Sequence, residues 1–285
     1  MSSLTKKIDF VLFVSVRQAN PNGDPLLGNM PRTDYEGYGE ISDVCIKRKV
    51  RNRLQDMGNE IFVQANERID DGNDSLEKRF NANFTKKQPD SEIAKAACQK
   101  WIDVRSFGQV IAFRKDQSIG IRGPVSISLG KSLSPVDIIT MQITRSTNGK
   151  ASETGKRSAD TMGTKHFVDF GVYKITGSMN CYFAQRTGFS DEDAQMIQQA
   201  LLSLFENDMS SARPEGSMAV EKLYWFTHPN ALGIASSAKI HQLVQVQPKV
   251  DEKIHDFSDY AISVDEERLD NYQQKGLTLE IKDGI

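Results

Sequence analysis

Apolar positions in this chain gather into a few dense runs set apart by long polar stretches. Residues 8–16 (IDFVLFVSV) form a continuous apolar run rich in β-branched and aromatic side chains, which predicts a buried first strand. Asn20-Pro21-Asn22-Gly23-Asp24-Pro25 stops it, because two prolines lack an N–H and Gly23 permits positive φ; residues 28–32 continue the irregular path. Ser42 then reads as a helix N-cap with Asp43 in the first turn, and Ile46, Val50, Leu54 and Met57 recur at helical spacing. That seam is expected to face the strand.

Residues 59 to about 100 are polar and charged, broken by Asp70-Asp71-Gly72-Asn73-Asp74, Lys86-Lys87 and Pro89, and read as an inserted subdomain. Core-like composition returns at 101–113 (WIDVRSFGQVIAF). Alternation through Ile119, Ile121, Val125, Ile127 and Leu129 predicts a strand in which Gly123-Pro124 marks an edge or bulge. Residues 144–167 form a second, loop-like excursion. After it, 167–182 reads as strand, 191–205 as a helix opened by Ser190 with Ala194, Ile197, Leu201 and Leu204 on one side, and 223–227 as strand. No internal repeat is present. This order predicts an α+β fold with helices on one face of an antiparallel sheet.

Charge changes the picture. The formal net charge of the 285 residues is -2, yet Lys47-Arg48-Lys49-Val50-Arg51-Asn52-Arg53 puts five cations on the predicted helix. An extended polyanion such as RNA would relieve that self-repulsion. Lys47, Arg48 and Arg51 are expected to share an outward face, contacting phosphate or simply solvated, whereas Lys49 and Arg53 are read as pairing with acids elsewhere. The 144–167 excursion carries five bases against two acids, and from Asp251 onward ten acids face four bases. The acidic stretch is a solvated face or a surface that docks on a basic neighbour, as in head-to-tail self-association.

Other chemistry is sparse. Cys45, Cys98 and Cys181 form no C-x-x-C pair, and His166, His228, His241 and His255 lack H-x-x-x-H spacing, so no metal, disulfide framework or cofactor is expected. No G-x-x-x-x-G-K-[ST] or G-x-G-x-x-G motif supports nucleotide hydrolysis. No run approaches the roughly 18 apolar residues of a membrane helix, and no signal-like segment opens the chain; a cytosolic protein without membrane contact is expected. Catalysis would fall to His166 as general acid or base, with no evident partner, or to Asp24 with Asp34 around Mg²⁺. The reading adopted is non-catalytic, against an RNA-processing endoribonuclease and an RNA-independent structural polymer.

The segments Asn20-Pro-Asn-Gly-Asp-Pro25, Asn29-Met-Pro-Arg32, Ser42-Asp-Val-Cys-Ile-Lys-Arg-Lys49, Arg122-Gly-Pro-Val125 and Met162-Gly-Thr-Lys-His-Phe-Val-Asp-Phe-Gly-Val-Tyr173 together resemble the Cas seven backbone subunit of type I CRISPR surveillance complexes (Cascade), first the I-C form and then I-B. The resemblance implies a modified RRM (ferredoxin-like) palm with inserted fingers and thumb. The palm would comprise 1–58 with the first strand and basic helix, 101–143 and 168–285; 59–100 would be fingers-like and 144–167 thumb-like. It further implies a subunit that polymerises along the crRNA and presents it to a target DNA strand, beside other Cascade subunits.

The candidate RNA-binding residues are Asn20, Asn22, Gly23, Asp24, Arg32, Ser42, Lys47, Arg48, Arg51, Arg105, Phe107, Gly108, Arg122, Thr161, Met162, Lys165, His166 and Phe167. Asn20, Asn22 and Asp24 equally well build the turn, and a backbone-amide nest there would bind phosphate. Arg105 and Arg122 read equally as structural ion pairs. Met162 is the candidate wedge between bases, the alternative being a hairpin that closes on the core. Phe167, Phe170 and Tyr173 resemble a stacking platform but depart from the K/R-G-F/Y-G/A-F-V-x-F/Y pattern, and Phe170 is expected in the core.

Overall fold

Strand β1 (Ile8–Ala19) is buried almost throughout. Phe10, Leu12, Val14 and Val16 enter one apolar cluster while Val11 and Phe13 enter another, so the two faces of the strand meet different cores. The unbroken apolar run at 8–16 has this cause: neither face is wet. The computed structural model describes residues 2–85, 88–113, 118–144, 162–250 and 253–285.

In chain order, β1 is followed by β2 (Gly23–Asp24), β3 (Met30–Pro31), β4 (Tyr38–Ile41) and helix α1 (Asp43–Asp56). Helices α2 (Leu76–Asn83), α3 (Asp90–Lys100) and α4 (Ile102–Phe107) come next. Five strands follow: β5 (Gly108–Ile111), β6 (Ile119–Arg122), β7 (Val125–Ile127), β8 (Gly130–Pro135) and β9 (Ile138–Thr144). The remainder comprises β10 (Met162–Met179), α5 (Cys181–Thr187), α6 (Asp191–Leu202), β11 (Met218–Thr227), α7 (Ser237–His241), β12 (Val244–Pro248), β13 (Tyr260–Val264), α8 (Glu266–Gln273) and β14 (Thr278–Asp283).

The main sheet runs β14-β11-β1-β10-β8-β4, with β7 and β9 also paired to β10, eight strands in all. Its described pairings are antiparallel, in keeping with an α+β fold. The helices do not keep to one face, contrary to the expectation from element order. Ile46 of α1 and Ile197 of α6 cover one side, while Ile240 of α7 and the β12–β13 hairpin, through Val244 and Tyr260, cover the other. Both sets of β1 side chains need a lid, and a single layer supplies only one.

A third cluster lies off the sheet. Phe62, Phe80, Phe84, Ile93 and Trp101 pack together with Ile111 and Ile119, so the polar stretch after residue 59 closes around its own aromatic core. Phe62 and Trp101 ring centroids stand 4.6 Å apart. The buried guanidinium of Arg79 is satisfied by Asp71, Gln64 and the carbonyls of Phe62 and Asn73.

The alternating run at 118–129 is two strands, not one. Gly123-Pro124 separates β6, which pairs with β5, from β7, which joins β10. Phe170 is buried, as expected for a core residue. Strand β10 begins at Met162, earlier than the sequence pattern indicates, because Met162–Val168 pairs with Ile138–Thr144 as a ribbon. The intervening residues 145–161 lie outside the described set. Among the described residues no helix is long and apolar enough to cross a membrane.

At Gly177, an added Cβ would stand 2.1 Å from Phe10 Cζ and 2.7 Å from the Ser126 carbonyl oxygen. Neither a core ring nor a paired strand yields cheaply. Gly177→Ala is therefore expected to lower stability by about 2 kcal/mol in urea unfolding, and a loss below about 0.5 kcal/mol would contradict this packing.

Candidate nucleic-acid interface

Helix α1 starts where the sequence indicates. Ser42 Oγ accepts from Cys45 N–H at 3.3 Å, and both the backbone N–H and the hydroxyl of Ser42 donate to Asn22 Oδ1 at 2.8 Å. The loop and the helix N-terminus are thus one hydrogen-bonded unit. Asn20 Nδ2 donates to the Asn29 carbonyl at 2.7 Å; Asp24 Oδ1 accepts from Leu26 N–H at 3.0 Å, and the Asp24 carboxylate pairs with Arg32 at 3.4 Å. A Cβ at Gly23 would fall 2.0 Å from Asn29 Oδ1, so a larger residue there would displace the Asn29 side chain. The turn-building roles of Asn20, Asn22 and Asp24 are therefore realised.

The five cations fall on two flanks of α1. Side chains advance about 100° per residue, so Lys47, Arg48 and Arg51 share one flank, as expected, and Lys49 with Arg53 lies across the apolar seam, but the first flank does not face wholly outward. One face of α1 lies on the sheet through Ile46, Val50 and Leu54, and the neighbouring cations meet carboxylates of flanking segments. Lys49, buried, pairs with Asp208, which also takes Arg213 at 3.1 Å; burial pushes the Lys49 ammonium below its ordinary pKa. Arg53 reaches Glu206 at 2.6 Å. These are the pairings anticipated for Lys49 and Arg53.

Arg51 departs from expectation. Its Nε donates to Asp103 Oδ2 at 2.9 Å, and its guanidinium lies 5.0 Å from the Phe107 ring centroid. Asp103 is fully buried and also accepts from Phe62 N–H at 2.8 Å and Val63 N–H at 3.1 Å. Arg51 is thus a strut between α1 and α4, although its neighbourhood to Phe107 was legible only as two candidates on separate segments.

Two cations of the run remain weakly committed. Lys47 pairs with Asp43 of the same helix at 2.9 Å, a half-exposed i,i+4 contact of a kind worth about 0.3–0.5 kcal/mol. Arg48 donates from Nη1 to the Val63 carbonyl at 2.6 Å and to Asn52 Oδ1 at 3.4 Å, with no carboxylate in ion-pair contact among the described residues. Burial, and then the charge of Arg51, hold its pKa below the ordinary value.

The other candidates are dispersed. Arg105 grips Asp193 with two bonds of 2.9 and 2.8 Å, and Asp193 in turn closes the capping box of α6, so the ion-pair reading holds. Gly108 has φ +78° and would place a Cβ 2.3 Å from the Ile121 carbonyl oxygen, so this close approach serves the protein's own backbone. Arg122 is exposed, its guanidinium 4.3 Å from the Phe183 ring centroid. Met162, 62% exposed, ends the described ribbon; Lys165, His166 and Phe167 are half-buried along it, and Thr161 lies outside the described residues.

Catalytic arrangements gain nothing from this geometry. His166 Nδ1 is 2.9 Å from Thr140 Oγ1, Asp24 is held by Arg32, and Asp34 is held by Lys131 at 2.6 Å. Among the described residues no group of three or more His, Cys, Asp or Glu is placed to hold a metal ion. The sequence reading also passed over Lys95, Tyr182, Phe183 and Arg186, which gather beside Arg122. The i,i+4 spacing of Tyr182 and Arg186 was the one available signal.

Removing Arg51 leaves a buried carboxylate without its cation. Arg51→Ala is expected to cost about 3 kcal/mol in chemical denaturation, against about 1 kcal/mol for Arg48→Ala, which leaves only neutral acceptors behind and no buried charge. Equal losses would refute the strut assignment.

The CRISPR-associated protein Cas7 of Haloferax volcanii is 27% identical over 227 residues, covering 70% of this chain and 65% of that protein. A solved chain described as a CRISPR RNA-guided surveillance complex is similar at TM-score 0.55 and 13% identity, covering 97% of this chain and 88% of that one, a likeness of fold. The sequence profile of CRISPR-associated protein Cas7 matches residues 6–265, and on that span the chain belongs to the Cas7 family.

Proposed function

We propose that this chain is a non-catalytic, crRNA-binding backbone subunit of a type I CRISPR surveillance complex (Cascade). Family membership across residues 6–265 is the observation that carries the reading. Copies polymerise head to tail along the guide in the cytoplasm, beside other Cascade subunits, and leave its bases to pair with a target DNA strand. Sequence is then read by base pairing, and the protein holds backbone. In this reading the sheet with α1 is an RRM-like palm over 1–58, 101–143 and 168–285, with fingers at 59–100 and thumb at 144–167.

Lys47 and Arg48 supply the phosphate contact on α1, because each exchanges its present partner for phosphate at small cost. Arg51 and Phe107 hold that surface in place. Ser42 and the 20–32 loop, with Asn20, Asn22, Gly23, Asp24 and Arg32, form its edge; Arg105 and Gly108 support it from behind. Thr161, Met162, Lys165, His166 and Phe167 act from the ribbon, Met162 as the wedge, and Arg122 contacts the strand separately.

Lys47→Ala with Arg48→Ala is expected to weaken guide-RNA binding about tenfold at physiological salt and to lower the salt slope by about 2, with the circular-dichroism spectrum retained. Unchanged affinity would remove α1 from the contact. Cleavage of labelled repeat RNA that vanishes in His166→Ala would overturn the non-catalytic reading. Filaments that outlast nuclease treatment would favour an RNA-independent polymer.

A further inference from the structure

Helix α3, strand β6 and helix α5 enclose an open cleft of about 580 Å³, within the range of ordinary ligand sites. Three cations line it, one from each element: Lys95, Arg122 and Arg186, all exposed. None has a carboxylate in ion-pair contact among the described residues, and no acid is among the described lining residues. Elsewhere on this chain cations are commonly matched, as Lys131 is with Asp34 and Lys253 with Asp137 and Asp169. Three positive charges without a carboxylate partner among the described residues, set around one concavity, raise its potential and favour an anion there.

Two rings stand beside the cleft, outside its lining but against two of its cations, and narrow the anion. Arg122 lies 4.3 Å from the Phe183 ring centroid and Arg186 lies 4.5 Å from that of Tyr182, and the two rings meet edge to face at 5.3 Å. Arg186 also donates to the Tyr182 hydroxyl, which fixes both side chains before any ligand arrives. Tyr182 is 57% exposed, leaving ring surface for a further planar group. The side-chain amides of Gln99 and Gln185 stand in the lining and offer donors and acceptors to base edges. Guanidinium-backed rings beside a cationic groove are the equipment of single-strand binding, in which bases stack and phosphates meet charge. A duplex keeps its base faces internally stacked and has no use for the rings.

We infer that this cleft is a separate binding site for single-stranded nucleic acid, distinct from the α1 surface and filled whether or not α1 holds a guide. The backbone phosphates sit among Lys95, Arg122 and Arg186, and an unstacked base lies on the Tyr182–Phe183 pair.

The test uses the full chain with its co-purifying RNA left in place, so that the α1 surface stays occupied. Fluorescence anisotropy follows labelled single-stranded DNA, single-stranded RNA and duplex DNA, each of about 12 nucleotides and unrelated to the bound RNA. Single strands are expected to bind at least about tenfold more tightly than duplex, with the DNA and RNA arms identifying the preferred sugar. Lys95→Glu, on an exposed helical position, is expected to weaken single-strand binding about tenfold, and Lys95→Glu with Arg186→Glu further, while the ratio of absorbance at 260 to 280 nm of the purified complex stays at the wild-type value. Affinity in Lys95→Glu within about twofold of wild type, duplex binding as tight as single strand, or competition by a glutamate polymer equal to that by single strand would each overturn the inference. Loss of co-purifying RNA in the Lys47→Ala, Arg48→Ala protein reports on the α1 reading alone.

Discussion

Burial of both faces of β1 sets the positions of the elements that matter for function. A strand whose alternate side chains enter two cores needs cover above and below, supplied by α1 and α6 on one side and by α7 with the β12–β13 hairpin on the other. Helix α1 is thereby committed to the sheet along Ile46, Val50 and Leu54, and only its flanks are left to carry charge. The segments at 61–63 and 203–213 then close on those flanks.

That enclosure turns most of a cation run into internal bracing. Asp103 gathers Arg51 and the N–H groups of Phe62 and Val63, tying α1, α4 and the start of the aromatic subcore at one carboxylate. Asp208 gathers Lys49 and Arg213 on the other flank. Buried pairs of this kind add little net stability over well-packed apolar residues, because desolvation offsets their attraction, but losing one partner is costly. Their effect here is to fix the roll of α1 about its axis and so the direction in which Lys47 and Arg48 point.

Local signals were readable in the sequence; long-range partners were not. Ser42 and Ser190 cap the helices their positions indicate, the seam at 46, 50 and 54 is buried, and the apolar run at 8–16 is the central strand, because each depends on chemistry within a few residues. Strands β8, β9 and β14 went unrecognised, since Lys131, Gln142 and Lys282 face solvent or polar neighbours and blur the alternation. Gly123-Pro124 was visible as an interruption, but nothing local reveals that its two sides join different sheets. In the candidate site, Asn22 bonding Ser42 and Arg51 bonding Asp103 are separated by 20 and 52 positions, beyond any periodicity argument. Where charge alone was read, orientation was lost.

The length of β10 carries a mechanical consequence. One unbroken run of 18 residues is paired with β1 deep in the core at one end and with β9 in the protruding ribbon at the other, without a hinge glycine or proline between Phe167 and Phe170. Load applied at the ribbon therefore passes as shear along a continuous ladder into β1, which is packed on both faces, so the ribbon behaves as a cantilever rooted in the core rather than as a tethered flap.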